Sequence, residues 1–227
     1  MDVNIQVIAR MHSDFATKFG IPRQSGLVEE LRSTIVFEPE FRNPDALRGI
    51  EDFSHLWIIW QFSEVVRQNW SPTVRPPRLG GNTRMGVFAT RSPFRPNHLG
   101  LSSVKLLGVE HTAEYGTVLH VGGADLMDGT PIFDIKPYIP YGDCHPEATG
   151  GFTDTAGDFI LQVEFPSNLL EILPEDKREA AVKVLSHDPR PSYQRKPDRV
   201  YGLTFAGFDI CFQVKDNVLT VLEVNRV

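Results

Sequence analysis

The chain has 227 residues, enough to bury a substantial core as one large domain or as a main domain with a smaller appendage. Hydrophobic residues make up 41% and charged residues 23%, and the longest purely apolar run, Leu56 to Trp60, is far too short to cross a bilayer as a helix. The net charge of −6 argues against a general affinity for polyanions.

In chain order, the first two-thirds reads as short strands separated by Gly and Pro. Ile5 to Arg10, Ser33 to Phe37, His55 to Phe62, Gly86 to Thr90, Ser102 to Val109 and Thr117 to Val121 are rich in β-branched or aromatic residues and bounded by turn formers. Strands in series without long helices between them predict a barrel or a sandwich. One short helix is expected after Asn43, with Asn43 as N-cap, Pro44 at the first helical position and Asp45 in the first turn, ending at Gly49. Around Glu147 to Asp158 the composition shifts to Gly, Thr, Asp and Ala, as in an exposed connection, which divides the chain at about 1–150 and 151–227.

Beyond that point a helix is predicted from Pro174-Glu175-Asp176, with Ala180, Ala181, Val184 and Leu185 as its apolar stripe and Asp188-Pro189 as its stop. Three strand-like runs follow from Val200. Phe208, Ile210, Phe212 and Val214 alternate, and Ala206-Gly207 and Asp216-Asn217 are short enough to be hairpin turns. The C-terminal third is thus expected to be a small α+β module of one helix and a β-meander.

The charge is uneven. Between Val65 and Val109 there is no Asp or Glu, while Arg67, Arg75, Arg78, Arg84, Arg91, Arg95 and Lys105 all fall there. A basic face on an acidic body suits one polyanion held in one place; on charge alone, an arginine-rich loop neutralised by acidic neighbours is the alternative. Within this stretch, Thr90 to Ser102 carries two prolines, Pro93 and Pro96, around Arg91 and Arg95, a loop whose backbone entropy is already reduced before any ligand arrives. Arginine offers a planar fork to phosphate or carboxylate, and a rigid turn joining two strands is the purely structural reading.

Asp125 and Asp128, with Gly129 beside them, could ring a cation or form an Asx-turn, and Pro22 to Leu27 is a polar turn able to offer backbone amides. Several signatures are missing. There is no GxGxxG, no GxxxxGK[ST] and no GxSxG, which leaves a doubly wound nucleotide fold, a P-loop and a nucleophile elbow without support. The histidines show no HxxxH or HxH spacing, and Cys144 and Cys211 form no CxxC, so two reduced thiols and no metal are expected. His55, inside an apolar run, reads as a satisfied core residue. The opening Met1-Asp2-Val3-Asn4-Ile5 lacks a basic region and a long apolar core, so no signal peptide and a cytoplasmic location are expected.

Taken together, Pro22-Arg23-Gln24, Arg48 to Trp57, Pro76 to Asn82, Gly86 to Asn97 and Asp125 to Pro131 resemble the TsaA-like family of TrmO-type tRNA methyltransferases. The resemblance spans about residues 5 to 145, and Asp188 to Tyr193 is similar to the extra C-terminal domain of bacterial members. It implies a mainly β protein with a single-sheet β-barrel that binds S-adenosylmethionine, a homodimer, and N6-methylation of N6-threonylcarbamoyladenosine beside the anticodon of threonine tRNA. The departure is at His98-Leu99, where relatives often carry Pro-Ile.

Carried over by position, the cofactor contacts fall on Gln24, Ser25, Gly26, Phe62, Ser63, Arg91, Leu101, Asp125, Leu126, Met127 and Asp128. Arg75, Arg78, Arg84, Arg95 and Lys136 are then expected on the RNA backbone and Tyr138 on a splayed base. Arg91 is the residue whose loss is expected to remove activity. The proton acceptor stays open between Asp125, Asp128 and the substrate's own carboxylate. Two other readings compete with this one: a β-barrel that binds RNA or a metabolite without chemistry, and a methyltransferase with another acceptor.

Overall fold

The structure is a computed structural model that describes residues 3–65, 70–155, 160–190 and 199–227. It is mainly β. Six strands form the first sheet: β1 (Ala9–His12), β2 (Arg32–Phe37), β3 (His55–Gln61), β6 (Leu99–Thr112), β7 (Gly116–Gly122) and β8 (Pro131–Pro137). Between β3 and β6 lies a two-stranded ribbon, β4 (Thr73–Val74) and β5 (Met85–Gly86). The six strands pair in the order β1-β2-β7-β6-β3-β8, and β8 returns to β1 through Ala9↔Ile132, so the ring closes as a barrel. Period-2 alternation explains its interior: Leu56, Ile58 and Trp60 of β3, Ile35 and Phe37 of β2, and Met11 of β1 are buried, while their neighbours face outward. The long β6 serves two neighbours, pairing with β3 through Leu99–Lys105 and with β7 from Lys105 onward.

Several expectations need correction. The first strand lies at Ala9–His12 and not Ile5–Arg10. Gly86 to Thr90 is not one strand: Met85–Gly86 pairs with β4 and Val87–Ala89 then turns as a 3-10 helix, with Thr90 Oγ1 donating to Val87 O at 2.9 Å. β8 is a strand beyond those expected: Pro131 and Pro137 bound it, and these are the end positions at which a strand tolerates proline. The helix after Asn43 is a 3-10 turn, Pro44–Leu47, whose Asp45 N–H is accepted by the Asn43 side chain as expected of an N-cap.

The second sheet contains β9 (Gln162–Glu164), β10 (Tyr201–Phe205), β11 (Phe208–Lys215) and β12 (Val218–Arg226) in the order β10-β11-β12-β9. Both hairpin turns use positive φ, at Ala206 and Gly207 and at Asp216 and Asn217. Short helices α1 (Pro140–Asp143), α2 (Phe152–Thr155) and α3 (Ser167–Leu170) precede α4 (Glu175–Ser186), which buries Ala180, Ala181, Val184 and Leu185 as its pattern predicts. Asp188 and Arg190 form a buried two-pronged ion pair at 2.7 and 3.0 Å; Pro191, Ser192 and Tyr193 of the same motif lie outside the described residues.

The core under this sheet draws on the early chain. Phe15, Val28 and Leu31 are buried in it, Phe15 packs on Phe205 with ring centroids 5.3 Å apart, and Lys177 Nζ meets Asp14 Oδ2 at 2.8 Å. The segment between β1 and β2 therefore ties the barrel to the second sheet and carries the Gln24 turn between two anchored ends. No helix among the described residues is long and apolar enough to cross a membrane.

Candidate active site

The site is built where β3 and β6 end beside the 90–98 loop. Trp60 of β3 is paired with Gly100 of β6, and a Cβ at Gly100 would lie 2.3 to 2.7 Å from three indole ring carbons. Only glycine lets the indole lie flat on the strand there. Its Nε1–H donates to Ser102 Oγ at 3.0 Å, and Ser102 Oγ donates to Asp125 Oδ1 at 2.6 Å. Phe62 packs against Trp60 with centroids 4.3 Å apart, held by its own N–H to His98 O at 2.9 Å.

The 90–98 loop is braced internally. Arg95 donates to Thr90 O and Ser92 O at 3.1 and 3.3 Å, and His98 Nδ1–H donates to Pro93 O at 2.9 Å. His98 has φ +48° and is buried. A proline cannot adopt that φ, so the His98 backbone and a Pro-Ile loop are mutually exclusive here. The brace leaves Arg91 exposed, and its guanidinium donates to Gln24 Oε1.

Gly26, at φ +80°, donates its N–H to Gly123 O at 2.8 Å, which holds the 24–26 turn against the chain entering Asp125. Burial pushes the Asp125 carboxyl above the ordinary aspartate range; the Ser102 hydroxyl, its own backbone N–H, the Arg91 charge and the Ser25 backbone N–H oppose that shift.

Of the expected cofactor residues, Gln24, Ser25, Gly26, Phe62, Arg91 and Asp125 thus come together. Ser63 is exposed in the 3-10 turn after Phe62. Leu126 is buried in the barrel core, and Met127 O accepts from Thr130 Oγ1 at 2.7 Å. Asp128 turns away: its Oδ1 accepts Ser13 N–H at 3.1 Å and lies 3.8 Å from His12. It lines a separate cleft of about 480 Å³ with Asp14, Arg32, His120 and Lys177. The two carboxylates therefore do not share a cation, and no metal-holding group of three or more His, Cys, Asp or Glu occurs among the described residues. Leu101 is 55% exposed on the outer face of β6, opposite to Gly100 and Ser102.

The basic residues divide. Arg75 and Arg84 flank the β4–β5 ribbon and are exposed. Arg95 is engaged in the loop, and Lys136 Nζ is paired with Asp134 at 2.8 Å. Arg67 and the Arg78 side chain lie outside the described residues. Tyr138 is half-buried against Trp57, centroids 5.6 Å apart, and edge-on to His55, whose Nδ1 is 2.9 Å from Ser54 Oγ. Sequence reasoning missed Trp60, Ser102, Trp70 and Phe88. Trp70 and Phe88 stack at 6.0 Å, exposed by 49% and 73%, at the end of the ribbon away from Arg75 and Arg84. Their adjacency follows from the ribbon pairing, which sequence spacing does not reveal.

At one rim the closed, mainly β sheet gathers a carboxylate, a guanidinium, an aromatic pair and a polar turn, a set of groups chemically suited to a small charged ligand. Family comparison narrows this further. Residues 10–144 match the tRNA-methyltransferase O N-terminal domain and residues 159–227 the TrmO C-terminal domain. The chain belongs to the tRNA-methyltransferase O family. The tRNA (adenine(37)-N6)-methyltransferase of Escherichia coli is 39% identical over 217 residues, covering 92% of each chain. A Pseudomonas aeruginosa protein whose name places it among S-adenosylmethionine-dependent methyltransferases is 37% identical over 233 residues, covering 99% of this chain and 98% of its own. A crystal structure of TrmO from Pseudomonas aeruginosa superimposes with a TM-score of 0.81 at 33% identity, covering 100% of this chain and 98% of that one.

Proposed function

We propose that this chain methylates N6 of adenosine 37 in tRNA with S-adenosylmethionine as methyl donor, and that its substrate is the N6-threonylcarbamoyl form of that adenosine in threonine tRNA. The enzyme class and the donor follow the family. The observation that carries the site assignment is the convergence of Gln24, Ser25, Phe62, Arg91 and Asp125 at one barrel rim.

The residues fit the donor's chemistry. Arg91 suits a carboxylate, the Asp125 carboxylate suits a cation, the Trp60–Phe62 pair offers aromatic faces, and the Gly26 turn keeps backbone close. When bound, S-adenosylmethionine supplies an electrophilic methyl group on a sulfonium. The chain's part is to align that methyl with the acceptor nitrogen, exclude water and take up a proton.

The RNA side of this reading rests on Arg75 and Arg84 as phosphate contacts and on the acid-free stretch around them. The exposed Trp70–Phe88 pair is better placed to stack on an unpaired base than Tyr138, which already packs on Trp57. We further read residues 1–150 as the catalytic part and 151–227 as a module joined to it through the 13–31 segment. A homodimer accounts for Leu101: facing away from its own site, it would reach a donor held by a second copy. Incubating the chain with donor and tRNA, then separating the nucleosides by mass, tests the assignment. Methylated N6-threonylcarbamoyladenosine is the expected product, and methylation of a different nucleoside would overturn it.

A further inference from the structure

The ionised Asp125 carboxylate is held by a hydrogen-bond chain whose direction is set at both ends. An indole N–H donates and cannot accept, and Trp60 Nε1 directs it at Ser102 Oγ, 3.0 Å away. The ionised carboxylate can only accept, so the Ser102 hydroxyl gives its proton to Asp125 Oδ1 at 2.6 Å. Trp60 is 7% exposed and Ser102 2%, so water does not compete for these bonds. The indole cannot swing away either, since Gly100 lies beneath it and Phe62 packs against it. While Asp125 is ionised, Oδ1 is thus occupied by the Ser102 hydroxyl, and an incoming proton is taken at Oδ2.

We infer that Asp125 Oδ2 takes the proton from the acceptor nitrogen, and that Trp60 and Ser102 are positioning residues that hold the carboxylate through its other oxygen. This rests on the methyl-transfer reading above. The acceptor N–H belongs to a urea-like group whose lone pair is delocalised, so its proton must leave as the new bond forms. The S–CH3 bond breaks with its electron pair left on sulfur, the nitrogen pair forms the N–CH3 bond, and the N–H proton passes to Oδ2. The products are a neutral thioether, a methylated nitrogen and a carboxylic acid, so the sulfonium charge is cancelled against the carboxylate.

Asp128 does not compete for this role, because its carboxylate is engaged by Ser13 N–H beside His12 in the other cleft. The groups facing Asp125 are Ser102 from β6, the Ser25 amide from the 24–26 turn and the Arg91 guanidinium from the loop; only Arg91 is charged. Burial outweighs all of them and makes the carboxylate more basic than an ordinary aspartate, which suits a proton acceptor.

The test uses two readouts on the full chain. Without donor or RNA, the indole N–H resonances of Trp57, Trp60 and Trp70 are followed by nitrogen-15 NMR from about pH 4 to 8, with Trp60 assigned through Trp60→Phe. The Trp60 resonance is expected to titrate with a midpoint above the usual aspartate value and to become flat in Asp125→Asn. In methyl transfer, Ser102→Ala is expected to move the acid limb of kcat/KM upward by about one pH unit, because a donor to the anion is lost. Asp125→Asn is expected to lower kcat by on the order of 100-fold or more, while calorimetric affinity for S-adenosylhomocysteine changes far less. A Trp60 resonance indifferent to pH, an unmoved acid limb in Ser102→Ala, or an active Asp125→Asn enzyme would each overturn the inference. If the unaltered chain methylates no tRNA, the functional reading fails separately, and the NMR titration still decides the relay. It also decides the relay if Ser102→Ala does not fold.

Discussion

Replacing Gly100 by alanine perturbs the site at its tightest point. The new Cβ would lie 2.3, 2.5 and 2.7 Å from Cε2, Cζ2 and Cδ2 of Trp60, whereas ordinary contact begins at 3.4 Å. The indole must therefore shift by about 1 Å, and neither neighbour permits this freely: Phe62 packs on the ring, and the Nε1–H bond to Ser102 spans 3.0 Å. Overpacking of this kind costs about 1–3 kcal/mol and the lost hydrogen bond about 1 kcal/mol more. For a chain of this size that corresponds to a fall in Tm of roughly 4–16 °C. The control is Gly108→Ala on the same strand, where a Cβ meets nothing within 4 Å and φ is not positive. Its expected effect is within about 1 kcal/mol of neutral. Thermal unfolding followed by circular dichroism compares the two. If both variants melt together, Trp60 is not pinned as described, and the relay through Ser102 loses its support.

Three further outcomes follow from the geometry. His98→Pro, which cannot adopt φ +48° and also loses the backbone N–H bond to Arg95 O, should lower both Tm and methyl transfer more than His98→Gly, which accepts that φ and loses only the side-chain part of the brace; a fully active proline variant would contradict the observed backbone. Asp125→Asn should gain stability over the unaltered chain as pH rises. A carboxyl whose folded-state pKa is raised contributes fully below its unfolded pKa and loses that contribution as pH climbs through the folded value, so the Tm difference should widen from about pH 4 to pH 7, and a constant difference would contradict it. Arg75→Ala and Arg84→Ala should each weaken RNA binding and reduce the slope of log affinity against log salt by about 1, and unchanged slopes would remove these residues from the interface.

Much of the fold was legible where one local rule dominates. β-branched and aromatic runs between turn formers marked β2, β3 and β7, alternation marked β11, the Asn43-Pro44-Asp45 run set a capped turn, and the α4 stripe matched its buried face. These rules failed where context overrides the local pattern. Pro131 and Pro137 hid a strand whose ends tolerate proline, and Val87-Phe88-Ala89 looks extended but is turned by Thr90 Oγ1 capping Val87 O. At the site, family resemblance brought Gln24, Arg91 and Asp125 together across the chain, which no spacing argument could do. It did not reveal Ser102, an ordinary strand serine until β6 pairs with β3 and sets it between Trp60 and Asp125. Nor did spacing separate Asp125 from Asp128. The intervening Leu126, buried in the barrel, sends the two carboxylates to different surfaces.

Purified chain is incubated with methyl-labelled S-adenosylmethionine and threonine tRNA that either carries or lacks the threonylcarbamoyl group on adenosine 37. Label is expected to enter the modified tRNA at that nucleoside and to be nearly absent from the unmodified one. Equal label in both tRNAs would contradict the substrate assignment, and no label in either would contradict the activity itself.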